Sequence, residues 1–502
     1  MVPIIFQHWS RRFMKEILFE LDTNLPASLQ AQLREKVVNA ILSRALQPGE
    51  RLPSSRSLSK HLNVARNTVT LAYQALADDG YLTPKPRSGY VVNEDAPVNP
   101  LGFSEKAKPT VEKIEWGHRV CSKADKFRVV DKPLNWREYE FPFVYGQADF
   151  NLFSHSEWRD CARQALGARD FGALAGDFGF SDDPMLVDYI ASHSLPQRGI
   201  YKDPRHVLVT LGAQNALFLV AELMIQPDKT VGLEEPCYPD IRNIVSMRTN
   251  NIEYFKVDEG GLILDEEKLS KCDLVFVTPS HQSPTTATMP IERRKELLRL
   301  SDKHDFVIVE DDYEFEMNFL APPSPALKSM DEKARVIYIG SFSKSLFPGL
   351  RLGYLAGPDI LIHEARRLRH LMFRHPPGHS QRTAAYFLAL GHYGAQMRRL
   401  KRSYSERRKI MHKALLDHSL MDSSAAQFGG TSFWIGGPKS LDSNELARRL
   451  LDKSVLIDPG STFFGQSNAP SNYFRIAYSS IDSEKIPGGI AQIAETIDEM
   501  TA

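Results

Sequence analysis

The run Val336-Ile337-Tyr338-Ile339-Gly340-Ser341-Phe342-Ser343-Lys344-Ser345, with Arg351 seven residues after the lysine, decides how most of this chain is read. Its apolar start predicts a short buried strand, and the glycine and serines predict a loop at the strand's C-terminal end. In an α/β sheet that edge opens on the crevice where ligands bind. A lysine held there is partly desolvated, which lowers its pKa and favours the neutral, nucleophilic amine. Most lysines are solvated surface groups. Lys344 is set apart by Ser341, Ser343 and Arg351, whose hydroxyls and guanidinium fork together suit a phosphate.

Outward from this run, His206–Thr210, Thr230–Leu233, Leu274–Thr278 and Phe306–Glu310 are further short apolar stretches separated by helical patterns. From Phe141 onward the alternation predicts an α/β domain with a mainly parallel sheet. Each stretch ends in residues with chemistry. Asp311 and Tyr313 follow Phe306–Glu310, offering a carboxylate and a phenol. Leu211-Gly212-Ala213-Gln214 leads into a helix expected over Asn215–Met224, whose first N–H groups can cradle a phosphate. Tyr238, in Glu234-Glu235-Pro236-Cys237-Tyr238-Pro239, is either a stacking ring or an ordinary core aromatic. Pyridoxal 5'-phosphate asks for a lysine amine, a carboxylate at the pyridine nitrogen, a donor to the ring oxygen and a phosphate cradle. Lys344, Asp311, Tyr313 and the set Gly212, Ala213, Gln214, Ser341, Ser343 and Arg351 supply them, with Tyr238 over the ring.

The N-terminal part has a different pattern. After Pro26-Ala27-Ser28, the residues Leu29, Leu33, Val37 and Ile41 recur at four-residue steps along one helix face, and Gln47-Pro48-Gly49 stops that helix. A second short helix over about Ser55–Leu62, a turn at Asn63-Val64 and a third helix with Val69, Tyr73 and Leu76 inward follow. Two strands, Tyr81-Leu82-Thr83 and Tyr90-Val91-Val92, then flank a turn. Three helices and a hairpin predict a winged helix-turn-helix. Its third helix exposes Arg66, Asn67, Thr68 and Thr70 near its N-terminus, where base edges are read. Arg56 suits phosphate, and Lys85 and Arg87 at the hairpin tip suit phosphate or the minor groove.

The stretch Ser28–Val92 resembles the GntR-family winged helix, through Leu46-Gln47-Pro48-Gly49-Glu50-Arg51-Leu52-Pro53-Ser54-Ser55-Arg56, Val64-Ala65-Arg66-Asn67-Thr68-Val69, Gly80-Tyr81-Leu82 and Ser88-Gly89. The resemblance implies that Arg56, Arg66 and Thr68 touch operator DNA and that Gly89 turns the wing. Ala65 departs from it, standing where Ser or Thr usually caps the recognition helix. Phe141–Ala502 resembles fold-type I aminotransferases in the order Gly212, Tyr238, Pro284, Asp311, Lys344, Arg351, Arg475. Thr278-Pro279-Ser280-His281-Gln282, Glu310-Asp311-Asp312-Tyr313 and Tyr404-Ser405-Glu406-Arg407-Arg408 are similar to the MocR-type (GabR-like) subfamily of GntR regulators. That resemblance implies an internal aldimine at Lys344, a domain-swapped homodimer and effector-controlled binding to paired repeats in double-stranded operator DNA. It also implies an amino-acid or amine effector held by Arg475, with His281 and Asp240 as further contacts. Asp240 stands where some relatives carry arginine, and Thr286 stands where a glycine is usual. For Arg475 the structural alternative is a strand-end ion pair.

Composition bounds these expectations. The chain has 502 residues, more than one ordinary core, and a formal net charge of +0. The average hides an asymmetry. Between Arg51 and Tyr90 six basic side chains face two acidic ones, the footprint of a nucleic-acid reader. Cys121, Cys161, Cys237 and Cys272 have no metal-ligand spacing, so no structural metal is expected, and no apolar run is long enough for a membrane. A cytoplasmic protein is expected, with Met14 as a candidate start. The domains read as 14–92 for the winged helix, 93–140 for a linker and 141–502 for the cofactor- and effector-binding body. Two functions remain open on the residues alone: an effector-sensing regulator, or a working aminotransferase with an accessory DNA-binding head.

Overall fold

The computed structural model describes residues 21–23, 25–86, 89–96, 114–120, 127–177, 179–318, 324–421, 430–466 and 468–501. Arg87 at the hairpin tip, Cys121 and the candidate start Met14 lie outside them. The chain divides into two compact units, Met1–Cys121 and Ser122–Ala502.

In the first unit three helices, α1 (Leu29–Leu42), α2 (Ser55–His61) and α3 (Arg66–Asp78), precede the hairpin strands β1 (Leu82–Lys85) and β2 (Gly89–Val92). Both early helices start on serine: the Ser28 hydroxyl accepts from the Ala31 N–H at 3.2 Å, and the Ser54 hydroxyl from the Ser57 N–H at 3.1 Å. The expected apolar stripe is buried, with Leu33, Val37 and Ile41 packed against Leu58, Val69, Tyr73, Leu76, Leu82 and Val92. Asn63 takes a left-handed φ of 51°, which makes the tight turn between α2 and α3. The hairpin is antiparallel, pairing Leu82 with Val92 and Lys85 with Gly89. This is the winged helix-turn-helix that the sequence predicts.

The second unit is built on an eight-stranded sheet. Its strands are β3 (Val207–Thr210), β4 (Val231–Glu235), β5 (Ile252–Asp258), β6 (Gly261–Leu262), β7 (Leu274–Val277), β8 (Val307–Asp312), β9 (Val336–Ser341) and β10 (Gly353–Ala356), in the order β3-β10-β9-β8-β7-β4-β5-β6. Strands β9, β8, β7, β4 and β5 run parallel, while β10 is antiparallel to both its neighbours. Strands β3, β7 and β9 are buried along their whole length, so they read as largely apolar runs. A smaller antiparallel sheet orders β11 (Ser432–Gly436), β13 (Tyr473–Ala477) and β12 (Asp458–Pro459).

Three details differ from expectation. Strand β8 runs on through Asp311 and Asp312 because these residues still pair with Ile339 and Gly340 of β9. The helix expected from Asn215 begins at Ala213. Part of the segment read as linker packs on the body: the Asn243 side-chain amide donates to the Arg128 carbonyl at 2.8 Å, and Trp136 is buried against Val144 and Leu456. Among the described residues, no helix is long and apolar enough to cross a membrane.

No side chain caps α3, since Ala65 has no acceptor to offer. Ala65→Ser is expected to stabilise the start of α3 by about 1 kcal/mol. Hydrogen exchange of the first-turn amides in the full chain checks this, and unchanged protection would contradict it.

Candidate cofactor and effector site

The crevice forms where the C-terminal ends of β8 and β9 meet the turn after β3. Gly212 precedes helix α4 (Ala213–Met224) with φ 79°, a left-handed conformation that suits glycine. A Cβ there would also lie 3.5 Å from the Arg351 guanidinium. No side chain caps α4, so its positive end and first-turn N–H groups face the same space as Arg351. The Arg351 Nη2 donates to the Leu211 carbonyl at 3.3 Å, and Ser341 Oγ accepts from the Ser343 N–H at 3.2 Å. Gly212, Ala213, Gln214, Ser341, Ser343 and Arg351 thus lie in one neighbourhood, with donors that could receive an anion. This neighbourhood opens into a cleft of about 520 Å³ that Phe127, Val129, Gln214, Asp240 and Arg351 help to line.

Lys344 is half-buried, and its Nζ lies 4.1 Å from the centre of the Tyr145 ring. Gly146, at φ 75°, leaves it room, since a Cβ there would fall 2.4 Å from Nζ. Burial pulls the Lys344 pKa down to about 8, with Arg475 and Lys132 adding to the fall and Glu314 and Asp311 opposing it. Asp311 moves the other way. Burial, Asp312 and Glu234 push its carboxyl up to about 7, and Lys344 only partly offsets them.

Asp311 Oδ1 is buried without any hydrogen-bond partner. A buried acceptor in that state is costly unless a donor arrives. The neighbouring Asp312 is paired through one oxygen: its Oδ2 accepts from Arg198 Nε at 2.6 Å and from the Tyr338 hydroxyl at 2.8 Å, while its Oδ1 is likewise buried without a partner. The pair with Arg198 holds Asp312 below the usual carboxylate range. Orphaned acceptor, low-pKa amine and uncapped helix end are what the ring nitrogen, aldehyde and phosphate of pyridoxal phosphate would satisfy, so the residues present fit that group.

Tyr238 precedes helix α5 (Pro239–Ser246), and its hydroxyl donates to Asp240 Oδ2 at 2.7 Å. The same oxygen accepts from the Gln214 side chain at 3.1 Å. Asp240, expected as an effector contact, therefore lies on the cradle side of the site with its Oδ2 engaged. Tyr313 lies close to Tyr145, and burial raises both phenol pKa values. His281 is buried and held towards its neutral form by desolvation. Thr286, in the position usually glycine, has φ 64°, which a β-branched residue adopts only at a cost.

Arg475 is buried on β13, directly across the small sheet from Asp458. Its Nε and Nη2 donate to Asp458 Oδ2 at 3.0 and 2.9 Å. The guanidinium also lies 3.9 Å from the Tyr145 ring centre and 4.6 Å from that of Phe463. Tyr145, Gly146, Arg198, Asp312, Glu314 and Asp458 were not picked out from the sequence. Only the run Asp311-Asp312 carried a local signal. Arg198 and Asp312 are 114 positions apart, and no local pattern joins them.

In the first unit Arg56, Arg66, Asn67, Thr70 and Lys85 are exposed and Thr68 is half-buried. The Thr70 hydroxyl donates to the Arg66 carbonyl at 3.0 Å, turned back on its own helix.

Fold and site together define a class of protein: a winged-helix DNA reader joined to a body with the architecture and residues of an aminotransferase. Residues 156–493 match the family model "Aminotransferase class I and II", and residues 29–92 match "Bacterial regulatory proteins, gntR family". The chain is 46% identical over 473 residues to the HTH-type transcriptional regulator TauR of Rhodobacter capsulatus, covering 94% of this chain and 96% of that protein. It is 30% identical over 478 residues to the probable rhizopine catabolism regulatory protein MocR of Rhizobium meliloti, covering 94% of each. The α-aminoadipate aminotransferase LysN of Thermus thermophilus, solved with N-(5'-phosphopyridoxyl)-L-leucine, superposes with a TM-score of 0.69 at 26% identity. That match covers 77% of this chain and 99% of LysN. The chain belongs to the MocR-type subfamily of GntR-family HTH-type transcriptional regulators, with a fold-type I aminotransferase body.

Two measurements follow from the site. In the cofactor-free protein, acylation of Lys344 should rise with a midpoint near pH 8, because its neutral amine appears as pH climbs through the folded pKa. Peptide mapping across pH checks this, and a midpoint at the ordinary lysine value of 10.5 would contradict it. Asp311→Asn should weaken pyridoxal phosphate binding by about 10- to 100-fold, the worth of one charge-assisted hydrogen bond of roughly 1.5–3 kcal/mol. Spectrophotometric titration of the cofactor reads it directly.

Proposed function

We propose that this protein is a pyridoxal-phosphate-dependent DNA-binding regulator that senses an amino-acid or amine effector at Lys344. The observation that carries the proposal is the pairing, in one crevice, of a lysine whose charge is destabilised with a buried carboxylate oxygen that lacks a donor. Bound there, pyridoxal phosphate supplies an electrophilic carbon that bonds reversibly to a primary amine. Lys344 is the resident amine, and burial keeps its proton loosely held so that an effector amine can compete with it. Asp311 Oδ1 would accept a hydrogen bond from the protonated ring nitrogen and so keep its proton there, and Tyr313 would donate to the ring oxygen. Asp240 holds Tyr238 in place through its hydroxyl. Arg475 faces the acid end of the effector, with His281 beside the site in neutral form.

In the head, Arg66, Asn67 and Thr68 read base edges while Arg56 and Lys85 hold phosphates. A homodimer presents two heads to paired operator repeats, so the repeat spacing mirrors the separation of the heads. A working aminotransferase would use the same body residues, and the test must separate the two. Primary amines and amino acids are titrated into the holoprotein while cofactor absorbance, operator affinity and keto-acid release are followed together.

The regulator reading expects absorbance and operator affinity to move in step, and Lys344→Ala to bind operator while ignoring effector. Keto-acid turnover with operator affinity unchanged would overturn it. Arg66→Ala should cost about 1–3 kcal/mol of specific binding and relax base preference at its site, whereas Lys85→Ala should weaken all sequences alike. Gel-shift titrations over operator variants measure both.

A further inference from the structure

The segment entering the body from the head side is pinned at two points. At its start, Arg128 is held by the Asn243 amide and donates through Nη1 to the Phe464 carbonyl at 3.3 Å. At its end, Trp136 is buried against Val144 and Leu456, with Arg137 stacked 4.4 Å from its ring centre. Phe464 and Leu456 flank Asp458, so the residues between the pins pass beside the Arg475–Asp458 pair. Lys132 is the cation on that span. It is half-buried, within electrostatic reach of both Asp458 and Lys344, and has no ion-pair partner among the described residues.

A desolvated cation without a counter-ion is unfavourable, and an incoming anionic group relieves it. Arg475 has the opposite condition. The Nε/Nη2 edge that would grip a carboxylate bidentately is already given to Asp458. An acid group approaching this site therefore meets a guanidinium whose Nε/Nη2 edge is taken and an ammonium that feels Asp458 only through space, without a direct ion pair. We infer that the acid end of the effector is received by Lys132 together with Arg475, with Asp458 as the resident counter-ion that tunes how tightly acids bind.

The inference rests on the sensor reading above and deepens it, because Lys132 belongs to the segment 127–137 at the start of the body's chain. An effector held there touches the very segment that continues towards the head. Discrimination then depends on the acid group as well as the amine. Lys132 is a specificity-determining residue, and Asp458 sets the competition.

The test uses full-length holoprotein and paired probes: glycine with ethylamine, β-alanine with propylamine and γ-aminobutyrate with butylamine, each pair differing by an acid group in place of a methyl. Half-saturation is read from cofactor absorbance, and operator affinity is recorded in the same titrations. The wild type should prefer the acid-bearing member of at least one pair by about tenfold or more, the equivalent of roughly 1.4 kcal/mol. Lys132→Met should remove most of that preference while the acid-free amine still binds, any shift in its half-saturation being shared by both members of a pair, which also shows that the variant is folded. Lys132→Arg should retain it, and Asp458→Asn should increase it. A preference that survives Lys132→Met within about twofold overturns the inference, as does a wild type without preference in every pair. If Lys132→Met abolishes the preference but operator affinity ignores every probe, the subsite stands and the sensor reading falls.

Discussion

The buried pair Arg198–Asp312 is the interaction on which the geometry of the crevice depends. Both side chains are almost completely buried, and the guanidinium does more than neutralise one carboxylate. It also donates to the Ser280 hydroxyl at 2.9 Å and to the Ser324 carbonyl at 2.7 Å, so it ties the end of β8 to two further loops. Removing one partner of such a pair would leave an uncompensated charge, typically worth about 3–5 kcal/mol. The pair also fixes the electrostatics next door. With Asp312 held ionised, a second bare charge on Asp311 is disfavoured, and Asp311 waits near neutrality for a donor.

That arrangement makes the cofactor part of the folded body's electrical balance. A protonated ring nitrogen against Asp311 would convert a poorly tolerated acid into a paired carboxylate, and a phosphate would be received by the uncapped end of α4 and Arg351. Lys344 is tuned by the same burial in the opposite sense. Two groups of opposite ordinary charge are thus pushed towards neutrality in one crevice, at about 7 and about 8. Burial raises hydrogen-bonded carboxyls such as Glu234 and Glu310 as well, so what distinguishes Asp311 is a partnerless Oδ1 within electrostatic reach of Lys344.

Much of this was legible in the sequence because the relevant signals are local. Strand-then-loop runs placed Lys344, Asp311 and Gly212 at one sheet edge, and the four-residue apolar step of Leu29, Leu33, Val37 and Ile41 placed the first helix of the head. The missing parts depend on pairing at a distance. Strand β5 is only partly buried and lacks an unbroken apolar run, and β10 is four residues opening on glycine. Asp458 meets Arg475 only through the register of two short strands, and Arg198 reaches Asp312 from a separate turn. Segment 127–140 has the composition of a linker, yet Arg128 and Trp136 anchor it through partners far along the chain. Composition reports average solvation and is blind to two such anchors.

The placement of the anchors bears on how a body of this fold can serve a head. An effector shifts a conformational equilibrium only by the difference in its affinity for the two states. Asp311 belongs to the large sheet and Lys344 to the loop directly after β9, so a contact with these two alone stays on one side of the crevice. Several bonds tie the loop beside the small sheet to the body: Glu235 accepts the Gly465 and Gln466 N–H groups, Arg242 Nη2 donates to the Thr462 carbonyl, the Cys237 N–H donates to the Phe463 carbonyl, and Arg128 reaches Phe464. These bonds clasp the loop that carries Phe463 over Arg475. A ligand that bridges Lys344 on the sheet and Arg475 on the small sheet therefore adds its binding energy to that clasp, where a coupling of about 1–3 kcal/mol is enough to change the response several-fold.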